Sequence, residues 1–190
     1  MKLSREFGYI VLCEDAQSQT FIVSFLRQFN INTRKIRLIN YPCGKGCGSA
    51  FVRKEYPNEV RILKATNYLK TVLVVCVDAD NLEVGQRKQM MEKEVIKVIP
   101  NWSREQEPII LWVPKREIET WISFLSGESV DETTDLKHSG NPVSCKNVAK
   151  KFAEYCQDLT EPCKDLLPSM VEAKKEYTRV CKLQKKSLYK

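Results

Sequence analysis

Three carboxylates stand at the ends of two apolar runs. Glu14 follows Tyr9-Ile10-Val11-Leu12-Cys13, and Asp78-Ala79-Asp80 follows Thr71-Val72-Leu73-Val74-Val75-Cys76-Val77. Unbroken apolar runs of this length read as strands of a parallel sheet buried on both faces, and the functional groups of such sheets collect outside the carboxyl ends. Two such strands would project Glu14, Asp78 and Asp80 into one crevice. Carboxylates gathered that closely repel one another unless a cation lies among them, and hard oxygen ligands suit Mg²⁺ or Mn²⁺. The chemistry this predicts is phosphoryl transfer at a metal, with Glu14, Asp78 and Asp80 as catalytic and metal-ligating residues.

The elements that must position these acids follow from periodicity. A first strand is expected over residues 7–13 and a helix over 17–29, with Phe21, Ile22, Phe25, Leu26 and Phe29 on one face. Residues 33–41 alternate basic and apolar side chains, as a half-exposed strand does. Residues 42–49, with Pro42, Gly44, Gly46 and Gly48, read as a loop, and Pro57 fits the first turn of a helix reaching residue 68. The strand over 71–77 comes next, then an amphipathic helix over 84–98 stopped by Pro100. A fourth buried strand is expected over 108–113 and a short helix over 117–125. Alternating strands and helices at this spacing predict an α/β fold, a sheet of about four mainly parallel strands flanked by helices. Residues 1–125 form this α/β domain. The polar, aperiodic residues 126–143 read as a mobile loop or linker, and 144–190 as a basic helical C-terminal extension packed on the same domain. Its helices are expected over 145–157 and from a capping box at Ser169-Met170-Val171-Glu172 to about Leu183.

Composition narrows the function classes. The 190 residues carry a net charge of +7. The stretch from Lys137 onward holds twelve Lys/Arg against six Asp/Glu and so supplies most of that surplus. A basic segment beside an acidic metal site suits a polyanion held while its backbone is attacked; a solvated helical face rich in lysine is the plainer reading. No apolar stretch approaches the roughly 20 residues that span a bilayer, and the N-terminus lacks a signal-peptide layout, so a cytoplasmic protein without membrane attachment is expected. Of the eight cysteines, Cys13 and Cys76 lie inside strand runs and Cys156 and Cys181 on apolar helix phases, as packing thiols do. Cys43 and Cys47 lack the second ligand pair a zinc site needs.

The segments Val11-Leu12-Cys13-Glu14-Asp15-Ala16-Gln17-Ser18 and Val75-Cys76-Val77-Asp78-Ala79-Asp80-Asn81 resemble the two acidic motifs of the Toprim domain of topoisomerases, primases, recombination-mediator proteins and OLD-type nucleases. The run Pro114-Lys115-Arg116-Glu117-Ile118-Glu119-Thr120-Trp121-Ile122 is similar to a segment of small Toprim-like proteins of bacterial mobile and defence loci, of the RloB kind. The chain departs from that pattern in two places. Asp15 and Ala16 follow the Glu, where Gly or Lys is usual, and Ser18 stands where nuclease versions often carry another acid. The resemblance implies a Toprim-like sheet in which Glu14 and Asp78 bind the catalytic ion and Asp80 assists or holds a second one. Glu14 acting as general base is the alternative. It further implies a divalent-metal-dependent nuclease acting on DNA or RNA, tRNA included, in defence against phage or mobile elements. A partner ATPase encoded nearby or a homo-oligomer would go with it. A non-catalytic nucleic-acid-binding or adaptor module is the competing expectation, since recombination mediators resemble Toprim domains and do no chemistry.

Further candidates surround these acids. Glu117 and Glu119 follow the fourth strand and could complete a second metal position, Glu119 being favoured by the apolar Ile118, Trp121 and Ile122 beside it. Lys45, between two glycines, and Arg116 could each neutralise a substrate phosphate, with Lys146 and Lys150 of the basic segment. Lys45 fits a plain turn equally well, and Arg116 could pair with Glu117 or Glu119. The lone histidine, His138, reads as a surface residue. P-loop spacing, a Gly-x-Ser-x-Gly elbow and a dinucleotide fingerprint are absent from the sequence.

Overall fold

A computed structural model describes residues 2–39, 48–66, 70–133, 145–157 and 166–188. Lys45, Cys43, Cys47 and His138, together with most of the expected linker, lie outside these residues. The fold is α/β. Its sheet contains β1 (Gly8–Cys13), β2 (Ile36–Ile39), β3 (Thr71–Cys76) and β4 (Ile109–Trp112), all parallel, in the order β2-β1-β3-β4. The chain moves outward from β1 to β2, returns to the far side of β1 to lay down β3, and continues to β4. The direction of winding therefore reverses between β1 and β3, and the carboxyl ends of those two strands border the topological switch point where open α/β sheets bind ligands.

Side-chain alternation divides the core in two. Tyr9, Val11 and Cys13 of β1, Val72, Val74 and Cys76 of β3, and Ile110 and Trp112 of β4 face helices α1 (Ala16–Arg27), α4 (Ile118–Ser126), α5 (Cys145–Gln157) and α6 (Pro168–Leu188). The intervening residues Ile10, Leu12, Leu73, Val75, Ile109 and Leu111 face α2 (Gly48–Ala65) and α3 (Val84–Val98). Covering on both faces is why β1, β3 and β4 read as unbroken apolar runs. The first layer is built on aromatic rings, with Phe25 and Trp112 edge to face at 4.8 Å and Phe152 against Trp121 and Trp112 at 5.4 Å. Trp112 and Trp121 are fully buried, and their indole N–H groups donate to Ala173 O and Ser169 Oγ.

Several sequence expectations need correction. Strand β2 is preceded by a 3₁₀ turn at Thr33–Lys35, so the strand itself begins only at Ile36, and as an edge strand it leaves Leu38 exposed. Helix α2 begins at Gly48, inside the expected loop, so Pro57 is an interior residue and not a first-turn proline. The buried stripe Val52, Tyr56, Val60 and Leu63 runs across the proline and holds the helix together where one hydrogen bond is missing. Helix α6 starts at Pro168 and runs to Leu188; Ser169 is not its cap, because its hydroxyl accepts from Trp121 and its N–H donates to Glu132 Oε1. Helix α4 ends on Gly127, whose φ of 97° is a left-handed cap that glycine adopts without strain. Among the described residues no helix is long and apolar enough to cross a membrane.

Candidate metal centre

Helix starts place the acids. Asp15, one residue beyond the Glu14 that follows β1, is extended and caps α1: its carboxylate accepts from the N–H of Ser18 and from the Ser18 hydroxyl, both at 2.8 Å. That bond fixes the Glu14–Asp15 corner where strand becomes helix. Across the switch point, the Asp78 main-chain N–H donates to Glu14 Oε1 at 3.1 Å. Ligand atoms of Glu14, Asp15 and Asp78 all lie within 4.8 Å of one another. They border a pocket of about 440 Å³ whose lining also includes Gly48, Ser49, Asp80 and Glu119.

Asp78 is the most unusual of the three. Its residue is only 5% exposed, and Oδ1 makes no hydrogen bond. Burial pushes its carboxyl well above the usual carboxylate range. A hydrogen bond with the Glu14 carboxyl and the charges of Glu14, Asp15 and Glu119 push it further the same way. Without a cation, the arrangement therefore favours the protonated form of the Asp78 carboxyl. A divalent cation would displace that proton and give Oδ1 the partner it lacks, and three carboxylates form a hard donor set that fits Mg²⁺ or Mn²⁺. The residues present fit such an ion.

The other candidates fall into distinct positions. Asp80 lines the pocket, but its carboxylate is paired with Arg87 Nη2 at 2.7 Å, and the tight group of three does not include it. Its φ of 54° shows the chain turning left-handed beyond β3, which is why Asp78 and Asp80 do not present their carboxylates as two residues of one strand face would. Main-chain bonds from Ala79 to Pro114 O and from Asp80 to Arg116 O tie this turn to the segment after β4. Glu119, in the first turn of α4, lines the pocket; Glu117, the residue preceding α4, is buried outside the lining. Arg116 donates to Asn81 Oδ1 at 2.6 Å, so it braces the turn after Asp80.

The basic segment divides between two ends of the molecule. Cys145, at the start of α5, lies within electrostatic reach of Glu119 and Asp15, so the first turn of α5, with Lys146, approaches the acid cluster. Lys150, one turn further on, is exposed and 4.0 Å from Glu154. Helix α6 runs the other way: Gln184 bonds to the Ser4 N–H and the Tyr9 hydroxyl, and Lys186 borders a groove with Phe7, Thr71 and Pro108 at the amino ends of the strands. The lysines of the last turns of α6 are therefore at the end of the sheet opposite the acids.

Asp15 is the residue that sequence reasoning left out of the site. An aspartate three residues before a serine at a helix start reads as a cap, and capping does not reveal that the same carboxylate borders a ligand pocket. Ser18 occupies the place of an expected acid and instead orients one. A scan of protein families, a search of curated proteins and a search of solved structures found no match to this chain.

Proposed function

We propose that this protein is a divalent-metal-dependent phosphodiesterase of the Toprim-like kind, a nuclease acting on DNA or RNA. Supporting this reading most directly is the buried, unpartnered Oδ1 of Asp78 within a group of three carboxylates at the switch point. Glu14, Asp15 and Asp78 would hold Mg²⁺ or Mn²⁺, with Asp80 and Glu119 at the edge of the same pocket. The ion, when bound, supplies Lewis-acid polarisation of a phosphoryl oxygen and neutralises charge developing on it. In the reaction a water oxygen bonds to phosphorus, one P–O ester bond breaks, and the water's proton passes to the departing oxygen. Glu14 is the carboxylate placed to handle that proton, being less buried than Asp78 and held by the Asp78 N–H. Asp15, oriented by Ser18, supplies the third acid that the resemblance places at residue 18. A role in defence against phage or mobile elements, with a partner ATPase, extends this reading.

A purified full chain should cut plasmid, single-stranded DNA or total tRNA with Mg²⁺ or Mn²⁺ and not with EDTA, and Glu14→Ala and Asp78→Ala should lose that cutting. Cutting that persists in EDTA or in both variants would sink the reading. One observation favours an adaptor instead: the surroundings of Asp78 favour its protonated form, which lessens the repulsion within the acid group without any ion. On that reading neither variant changes nucleic-acid binding, and no cation binds to the wild-type chain.

A further inference from the structure

The end of the sheet opposite the acids gathers basic side chains from three separate stretches of sequence. The residues before β1 run between the last turns of α6 and the 3₁₀ turn that leads into β2. Gln184 of α6 accepts from the Ser4 N–H at 3.0 Å and donates to the Tyr9 hydroxyl, which donates in turn to Ser4 O at 2.8 Å. From the other side, Lys35 Nζ donates to Arg5 O at 2.9 Å. These bonds hold Arg5 between Arg34 and Lys35 on one flank and Lys182, Lys185 and Lys186 on the other. All six are exposed, and none forms an ion pair with a described acid.

The acids at this end do not balance them. Glu6 lies 3.9 Å from Lys70 and Glu107 is paired with Lys64 at 2.8 Å, which leaves Glu105, on the groove that Lys186 also borders. Many cations elsewhere are answered by acids: Arg87 by Asp80, Lys88 and Lys175 by Glu172, and Arg104 by Glu92. Like charges crowded without a counter-charge repel one another, and a polyanion laid across them relieves that repulsion and releases its own counterions.

The kind of polyanion follows from what the surface lacks. A helix that lies on a membrane offers the lipid its apolar face. Helix α6 instead buries Met170, Ala173, Tyr177, Val180 and Cys181 in the core, and Leu188 is its one exposed large apolar side chain among the described residues. Single strands are gripped by stacking their bases on aromatic rings. The one exposed aromatic side chain among the described residues is Tyr155, in a groove between α4 and α5 with Phe124 and Lys151. Phosphate recognition alone remains, and it suits a double helix, whose bases are stacked away from the protein.

We propose that the surface formed by Arg5, Arg34, Lys35, Lys182, Lys185 and Lys186 binds the phosphate backbone of a double-stranded nucleic acid without reading its sequence. Strands β1 and β3 are six residues long, roughly 20 Å at about 3.3 Å per residue, so the phosphates bound here are not those that reach the acid pocket of the same chain. The surface is an anchor separate from that pocket and does not rest on the metal reading.

Fluorescence anisotropy of the full chain in EDTA, with short labelled DNA and RNA duplexes across a salt series, tests this. The principal variant is Lys182→Gln/Lys185→Gln/Lys186→Gln. Arg5→Gln/Arg34→Gln reads the same surface from its other flank should the first fail to fold. Lys54→Gln/Lys93→Gln/Lys175→Gln removes equal charge from exposed positions on α2, α3 and the middle of α6. Wild type should bind a duplex with an affinity that falls steeply with salt. The α6 variant should bind at least about tenfold more weakly, with a log–log salt slope shallower by about two to three. The Arg5/Arg34 variant should move the same way by about one to two in slope, and the charge-matched control should stay within about threefold of wild type. An equal loss in the control would trace binding to net charge and overturn the proposal. A thymidine oligonucleotide bound as tightly as the duplex overturns it too, as does wild type that binds neither duplex. Binding to phosphatidylserine vesicles without duplex binding overturns it in favour of a membrane surface. Each result is read without metal, so failure here is distinct from failure of the metal reading.

Discussion

The main-chain N–H of Asp78 and the Glu14 side chain are joined by a 3.1 Å hydrogen bond between residues 64 positions apart in the chain. The bond spans the carboxyl ends of the two central strands, whose register pairs Cys13 with Cys76. It makes the separation of the acids a property of the sheet and not of a loop, and several expected behaviours derive from it.

Asp78→Asn should stabilise the chain in EDTA. The folded state keeps a proton on the Asp78 carboxyl at pH values where the unfolded chain, titrating near about 3.9, has lost it. Wild-type stability contributed by this group is therefore greatest below the unfolded value and declines as pH rises toward the folded one. The amide has no such dependence. A gain of about 1–2 kcal/mol at neutral pH, seen as a rise of roughly 2–8 °C in Tm, is expected, and it should shrink on acidification. Equal Tm differences at all pH values would show that Asp78 ionises normally.

Mg²⁺ or Mn²⁺ should raise the wild-type Tm, and the increment should grow with pH. A cation must displace the proton held by Asp78, so proton release accompanies binding and affinity increases as pH rises through the folded pKa. At a hundredfold excess over Kd the stabilisation would be about 2.7 kcal/mol. Thermal melts across a pH series, with and without metal, measure this directly; a pH-independent increment would remove Asp78 from the ligand set.

Asp80 and Arg87 make a second relationship to test. Arg87 is 7% exposed and donates to Asp80 Oδ2 and Ala79 O, so Asp80 is engaged in holding the turn after β3. Arg87→Met should lower stability by about 1–3 kcal/mol, through loss of buried hydrogen bonds. Asp80→Asn should cost less than about 1 kcal/mol, the Asp80 side chain being partly solvated. It should leave cation affinity, read by calorimetry, within about threefold of wild type, since a shift of that size is below about 1 kcal/mol. A larger drop in affinity would place Asp80 among the ligands.

The sequence made the sheet readable because β1, β3 and β4 are buried on both faces, so each appears as an apolar run, though each was expected one or two residues longer than the strand it contains. Helices α3 and α5 were readable to the residue: Pro100 follows α3, and Val148, Ala149, Phe152, Ala153 and Cys156 give α5 a clean stripe. The start of α2 was not, because a glycine needed for contact with Glu14 is indistinguishable in sequence from a glycine in a turn. That β2 would be an edge strand with Leu38 exposed was not legible, because edge position depends on strand order, which periodicity does not carry. At the site, Glu14, Asp78, Asp80 and Glu119 were legible as strand-end and helix-start acids. The pairing of Asp80 with Arg87 was not, since it depends on a left-handed turn that leaves no signature at an Asp-Ala-Asp.

Gly48→Ala would test the contact that brings α2 to the strand end. Its Cβ would lie 2.4 Å from a main-chain oxygen, which cannot swing away as a flexible side chain would. Helix propensity favours alanine by about 1 kcal/mol, so a variant without the clash would be more stable than wild type. The expected result is the opposite: a loss of about 1–3 kcal/mol, with cation affinity falling as Glu14 is displaced. A stabilised variant with unchanged affinity would show that the helix end can retreat without disturbing the acids.

Asp15 combines a structural and a chemical task, and two substitutions separate them. Asn caps helices about as well as Asp, so Asp15→Asn keeps an acceptor for the Ser18 N–H while losing the charge. Asp15→Ala loses both the acceptor and the charge. If Asp15 is only a cap, the Asn variant should match wild type in stability and in cation affinity, and Ala should cost about 1 kcal/mol. If its carboxylate also serves the ion, the Asn variant should keep the wild-type Tm in EDTA yet bind Mn²⁺ at least about tenfold more weakly, a difference of about 1.4 kcal/mol. The proximity of its ligand atoms to those of Glu14 and Asp78, within 4.8 Å, leads us to expect the second result. Thermal melts in EDTA and Mn²⁺ calorimetry on the two variants decide it, because a cap-only residue cannot change affinity while leaving stability untouched.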